Sequence, residues 1–170
     1  MSVLARKITR AKWEQKADLA VGEIAADAVT VDLKTTGNTL SFWRCLSAAT
    51  DDLKRASLAL AAGSDRVDRL DVIYLDEHAI RGAGVGTKDT PGNTPVSSLR
   101  EHHVDAEKLD LTRLGMIAQM VAQAHRTNAA LSMTRKEVVE LVVHAVRAKL
   151  VALEELKGEM KEKVRAQLEK

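Results

Sequence analysis

The feature that most constrains the fold is a cluster of proline and glycine between Leu75 and Val96. This stretch holds both prolines of the chain and four of its nine glycines. Proline cannot continue a helix and glycine is costly to order, so the cluster predicts an irregular loop. The loop follows an apolar run, Leu70–Leu75, which indicates a buried strand. It therefore separates a mixed first half from a second half that shows only helical patterns.

The first half contains three segments that predict strands. Val3–Thr9 alternates weakly, whereas Leu40–Leu46 and Leu70–Leu75 are apolar on both sides, which is typical of interior strands. Residues 24–35 fit both a helix and a hairpin strand, and their alanines favour the helix. A second helix is predicted between Thr50 and Gly63. The expected fold is therefore α/β or α+β, with a small three-stranded mixed sheet and two crossover helices.

The second half carries three signals for the start of a helix. Ser98 and Thr134 each begin a capping-box pattern with a glutamate three residues later, and Asp110 precedes an apolar stripe. From Thr134 to Lys170 the chain has no proline, and this segment is predicted as one long helix. The predicted organisation is a mixed region at 1–78, a Gly/Pro-rich loop at 79–97 and a helical region at 98–170. We expect the helical region to form one structural unit with the first half.

The last part of the predicted long helix has a narrow apolar stripe among glutamates and lysines. A narrow stripe needs a partner, which is either the preceding helix or another chain, and the sequence leaves both open. This stripe predicts a non-catalytic subunit or adaptor that acts through protein–protein contact, either with another protein or by self-association. The predicted interface residues are Leu153, Leu156, Met160, Val164 and Leu168.

A second hypothesis is an enzyme, such as a metal-dependent hydrolase, with its site beside the loop. A carboxylate next to an imidazole can orient the imidazole as a general base, and both groups can ligate metals. The sequence has no His-Glu-x-x-His motif and no cysteine pair, and two adjacent histidines on a helix diverge by about 100°. No metal or cofactor is therefore predicted. The candidate catalytic residues are Asp76, Glu77, His78, Arg81, His102 and His103.

The glycines that begin at Gly82 invite comparison with a phosphate-binding loop, G-x-x-x-x-G-K-[ST]. Counting from Gly82 puts Thr87 where the second glycine is required, and Asp89 follows Lys88 where a hydroxyl is required. Pro91 then follows where the N-terminus of a helix should bind the phosphate. Nucleotide binding by this loop is therefore not expected.

A third hypothesis is a nucleic-acid-binding accessory protein that uses a locally basic N-terminus. The net charge of +2 is too small to support this by itself, but one tryptophan among the basic residues could stack on a base. The candidate residues are Arg6, Lys7, Arg10, Lys12 and Trp13.

Cysteine usage and hydropathy indicate where the protein works. Cys45 is the only cysteine, so an internal disulfide is impossible, and its position in a predicted strand indicates a buried, unreactive thiol. The N-terminus lacks the apolar core of a signal peptide, and no stretch is long enough to span a membrane. A cytoplasmic protein without a membrane partner is expected.

Overall fold

The computed structural model describes residues 2–169; Met1 and Lys170, the outermost residues of the two predicted regions, lie outside this range. The strands are β1 (Val3–Ile8), β2 (Leu40–Cys45), β3 (Leu70–Asp76), β4 (Gly86–Asp89), β5 (His103–Glu107) and β6 (Ala130–Met133). The helices are α1 (Arg10–Trp13), α2 (Ala26–Asp32), α3 (Thr50–Ala62), α4 (Glu77–Gly82), α5 (Leu111–Arg126), α6 (Arg135–Arg147) and α7 (Gly158–Leu168). Ser97–His102 and Leu153–Glu155 form 3₁₀ turns.

The strands form one six-stranded sheet in the order β4-β5-β2-β1-β3-β6, and every neighbouring pair is antiparallel. The predicted three-stranded mixed sheet with crossover helices is therefore wrong, although the general α+β class is correct. The prediction failed because β4 and β6 have four residues each and β5 has five. Such short strands carry too few alternations to show a period of two. Strands from both halves of the chain share this sheet.

Helices cover both faces of the sheet, and alternate residues of each strand enter two different cores. Val3 and Val72 pack with α3, α6 and α7 on one face, which we call the first face. Leu4 and Ile73 pack with α1, α2, α4 and α5 on the second face. Successive side chains of a strand point to opposite faces, so both sides of the central strands must be apolar.

Several local predictions are confirmed at the ends of helices. Residues 26–32 form a helix, α2, as the alanines favoured. Asp110 caps α5 by accepting the Arg113 N–H at 2.7 Å, and Thr134 forms the predicted capping box with Glu137. The capping box predicted at Ser98 is wrong, because Ser97–His102 is a 3₁₀ turn without a side-chain cap.

The predicted long C-terminal helix is also wrong. α6 ends at Arg147, Lys149 takes a left-handed conformation with φ 58°, and α7 begins at Gly158. Gly158 has φ +51°, and a Cβ there would lie 2.4 Å from the Asp65 carbonyl oxygen. The chain therefore folds back on itself, because the broad apolar face of α6 needs a cover that α7 supplies.

The Gly/Pro-rich range 79–97 is an irregular loop only in part, since residues 83–85 and 90–96 alone have neither helix nor strand. It contains the end of α4 and the whole of β4, which pairs with β5 at one edge of the sheet. Gly92 is buried on Trp43, where a Cβ would lie 2.4 Å from the indole ring, so only glycine fits. The segment is thus built into the sheet edge.

Candidate functional site

The predicted enzymatic cluster surrounds the start of α4, where β3 ends. Asp76 is the N-cap of this helix, and its Oδ1 accepts the His78 N–H at 2.9 Å. An aspartate satisfies a free helical amide at this position, which explains the abrupt change from strand to helix. The Asp76 side chain therefore has a local structural role.

Glu77 is a buried carboxylate at the centre of an ion-pair cluster whose outer members are exposed. Its carboxylate accepts two hydrogen bonds from Arg44, at 3.0 and 2.9 Å, one from Arg81 at 2.7 Å and one from the Ser2 hydroxyl at 2.8 Å. Burial alone would raise the pKa of Glu77, but the hydrogen bonds from Arg44 and Ser2 and the two positive charges lower it overall. An ionised carboxylate with four donors is held too firmly to serve as a general base, and it fixes α4 against β2.

The histidines of the predicted cluster lie in different surroundings. His78 is exposed beside the ion-pair cluster, whereas His102 lines a separate cavity of only about 10 Å³, room for one water molecule. His103 contacts the Thr90 hydroxyl through Nδ1 at 2.9 Å and stands edge-on to Trp43. Within residues 2–169, no group of three or more His, Cys, Asp or Glu side chains is placed to hold a metal ion.

Cys45 lies next to Arg44 in β2, but its thiol is buried. Burial and the nearby charge of Asp52 raise the pKa of Cys45 to about 11. The thiol is therefore protonated at neutral pH and is a poor nucleophile.

Of the basic residues near the N-terminus, Lys7 and Arg10 line one cavity, whereas Arg6 points elsewhere. The Arg6 guanidinium turns inward, donates to the backbone carbonyl of Asp32 at 2.8 Å and lies over the Phe42 ring. Trp13 is buried, and its indole N–H donates to the Asp32 carboxylate at 2.8 Å. Lys7 is exposed on the opposite side of β1 from Arg6. Trp13 is 8% exposed and lines a different cavity from Lys7 and Arg10.

The stripe predicted as an interface packs inside the chain. Leu156, Met160 and Val164 have at most 2% of their surface exposed, and they belong to the core of the first face. Leu153 and Leu168 are partly buried against the same core. Of the two partners that the sequence leaves open, the preceding helix is the one that covers the stripe.

A groove that the sequence did not predict lies on the other side of α4, between the end of β3 and α5. Its volume is about 500 Å³. β6 pairs with β3 only as far as Ile73, and the Tyr74 N–H then donates to the Ala129 carbonyl at 3.2 Å. Beyond this bond no strand in the described chain covers the edge of β3. The main lining residues are Tyr74, Leu75, Ala79, Gln119, Met120 and Gln123.

The open edge offers one backbone acceptor and one backbone donor. In a strand, the backbone N–H and C=O groups of every second residue point to the same edge. The Tyr74 N–H points away from β1, so the Tyr74 carbonyl and the Asp76 N–H also point to this edge and face the groove. A residue in an extended segment that runs parallel to β3 can donate its N–H to the Tyr74 carbonyl. The carbonyl of the same residue can accept the Asp76 N–H. That is the hydrogen-bond pattern of a parallel bridge.

The signal that could have revealed this groove is the second apolar side of α5. The sequence pattern drew attention to the stripe that includes Ile117 and Val121, which is buried on the sheet. Met116 and Met120 stand four residues apart on another side of the helix, and Met116 is 41% exposed. Unbranched, flexible methionines at a surface are typical of binding sites that adapt to their partners.

Comparison with known protein families, with curated proteins and with solved structures finds no match for this chain. No helix among residues 2–169 combines the length and the apolar character needed to cross a membrane. The assignment of a function therefore rests on the geometry of the chain itself.

Proposed function

We propose that this chain is a non-catalytic binding protein whose partner inserts an extended peptide segment into the groove between β3, α4 and α5. The observation that carries the proposal is the unpaired edge of β3 at Tyr74–Asp76, which forms the floor of an apolar groove. Addition of a strand to an exposed sheet edge is a common mode of peptide recognition, in which main-chain hydrogen bonds supply affinity.

The lining of the groove favours an uncharged, partly apolar segment. Its charged residues are one aspartate, Asp76, and one arginine, Arg126, so its net charge is zero. Met120 and Leu75 supply apolar contact, and Gln119 carries an amide that can bond to a peptide backbone. A segment of high net charge would lose hydration in such a groove, where one aspartate and one arginine can balance at most one charge of each sign.

The ion-pair cluster supports this function by fixing one wall of the groove. Glu77 joins α4 to Arg44 of β2, and Arg44 also bonds to Asp89 of β4 at 2.7 Å. Because this wall is already fixed before a peptide binds, binding loses less conformational entropy. We therefore assign the cluster a positioning role.

The direct test uses an array of synthetic decapeptides with alternating apolar residues and no net charge. Peptides that bind the purified chain are then measured against Ala79→Arg, in which a long side chain fills the groove from the surface of α4. Ala166→Arg, an exposed alanine in α7 on the other face, is the matched control. We expect Ala79→Arg to weaken binding at least about tenfold and the control to leave it unchanged.

Two results would overturn the proposal. One is an array in which no peptide binds the wild-type chain, and the other is binding that Ala79→Arg leaves intact. A cytoplasmic location and the chemistry of the partner beyond this segment remain predictions.

A further inference from the structure

A second cavity lies between the segment after α1 and the end of α5, and it shares Arg126 with the groove. Its volume is about 290 Å³, near the lower end of the range for small-molecule pockets. Trp13 and Ile24 supply apolar walls, and the Trp13 ring is fixed by its bond to Asp32. A cavity of this size suits a ligand of a few heavy atoms rather than a peptide.

One wall of the cavity is organised by a single side chain, that of Gln15. Its Nε2 donates to the carbonyls of Lys16, Leu19 and Ala20 at 3.2, 3.2 and 3.0 Å, and its Oε1 accepts the Gly22 N–H at 3.1 Å. These bonds shape residues 15–22 without an apolar anchor, since Val21 in this loop is 98% exposed. The loop is therefore held by the hydrogen bonds of Gln15 to its backbone.

The charged groups around this cavity form no ion pair within the described residues, although the Glu23 carboxylate accepts the Ala20 N–H at 3.0 Å. Glu14 and Glu23 have no salt-bridge partner in residues 2–169. Arg126 donates only to the neutral amide oxygen of Gln123, at 2.9 Å. Two carboxylates and one guanidinium thus border the same small space without bonding to one another.

His125 adds a polar group that lacks a partner. Among the described residues, its Nε2 is the one buried side-chain nitrogen or oxygen without a hydrogen bond. Burial and the charge of Arg10 lower the pKa of His125, with a further lowering from Arg126 and opposition from Glu14. A buried polar atom without a partner costs about 1–3 kcal/mol, and such atoms mark strain, function or an absent bound group.

We infer that this cavity binds a small zwitterion, with its ammonium group toward Glu14 and Glu23 and its carboxylate toward Arg126 and His125. The cavity is lined by carboxylates and by a guanidinium, which are the groups that the two ends of such a molecule require. A simple amine or a simple acid would satisfy only one of these two sets of groups. The apolar walls accommodate a short methylene chain between the two ends.

The test compares ligands that differ in one charge. β-Alanine and γ-aminobutanoate carry both groups, whereas butylamine and butanoate carry one each. We expect at least one zwitterion to bind about tenfold more tightly than either single-charge analogue, measured by calorimetry and by the shift of the His125 ring signals in NMR. Equal binding of all four compounds, or no saturable binding, would overturn the inference and indicate a cavity that holds water only.

Variants locate the site. Glu14→Gln combined with Glu23→Gln should weaken the zwitterion about tenfold and leave butanoate binding no weaker than before. Glu154→Gln, at an exposed glutamate far along the chain, is the control and should change neither. Undiminished zwitterion binding in the double variant, with wild-type circular dichroism, would contradict the assignment. Peptide binding in the groove is measured separately, so the two proposals can fail independently.

Discussion

α5 and α7 lie on opposite faces of the sheet and differ in how completely the chain covers their apolar side chains. Met160 and Val164 of α7 have no exposed surface, whereas Leu111 and Met116 of α5 are 88% and 41% exposed. α7 is the shorter helix, with eleven residues against sixteen. The apolar side chains of the short helix are therefore buried, whereas the long helix exposes some of its apolar side chains; we call α7 the sealed helix and α5 the open helix.

The difference shows that an apolar stripe in a sequence does not reveal whether the chain will cover it. α7 is sealed because it fits between α6 and the turn at Asp65, where the Glu159 N–H donates to the Asp65 carbonyl at 2.7 Å. α5 has apolar residues on more than one side, and the sheet can bury only one of them. Exposed apolar surface therefore remains on α5, at Leu111 and Met116.

The largest expected effect comes from truncating a methionine in the sealed helix. Met160→Ala should lower the free energy of unfolding by about 3 kcal/mol, because it opens a cavity in a fully buried site. Met116→Ala on α5 should cost less than about 0.5 kcal/mol, since this side chain is partly in water. Urea denaturation of both variants measures the contrast. Similar losses in the two variants would remove the distinction between a sealed and an open helix.

The ion-pair cluster should give the next largest effect. Glu77→Gln keeps the shape of the side chain but leaves Arg44 without its main partner, and we expect a loss of about 2 kcal/mol. The same change at exposed Glu154 is the control. Because Glu77 positions α4, the variant should also weaken peptide binding in the groove. A variant as stable as the wild type would show that the cluster does not hold this wall.

The cluster also predicts a pH dependence of stability. The pKa of Glu77 in the folded chain is below its ordinary value of 4.5, so the unfolded chain binds its proton more readily. The contribution is complete above about pH 4.5 and is lost as the pH falls from there through the pKa of the folded chain. Urea titrations between pH 6 and pH 3 should show a steeper loss for the wild type than for Glu77→Gln. Parallel curves would contradict the lowered pKa.

The length of each strand and the strength of its apolar pattern explain which strands could be predicted. β1, β2 and β3 have six or seven residues, and the strong apolar patterns of β2 and β3 and the weak alternation of β1 were enough to locate them. β4 and β6 are too short for such a pattern, and they form because β5 and β3 already offer edges to pair with. Apolar patterns within short segments therefore predicted the central strands. The number of strands in the sheet depends on pairing between distant segments.

The candidate site divides in the same way. The sequence located Asp76, Glu77 and His78 at the end of a strand, but the role of Glu77 depends on Arg44, which is 33 residues away in an apolar segment. The groove depends on where β6 stops relative to β3, and no pattern within either strand specifies that register. The local sequence indicated where the candidate site lies. Contacts between residues distant in the sequence determine its chemistry.

The most direct test is the hydrogen exchange of one backbone amide, that of Asp76, with and without a bound peptide from the array. If a partner segment forms a parallel bridge with β3, its carbonyl accepts this N–H, and exchange should slow at least about tenfold. The amide of exposed Leu46, the residue after the end of β2, is the reference and should not change. An unchanged Asp76 amide in the saturated complex would contradict strand addition at this edge.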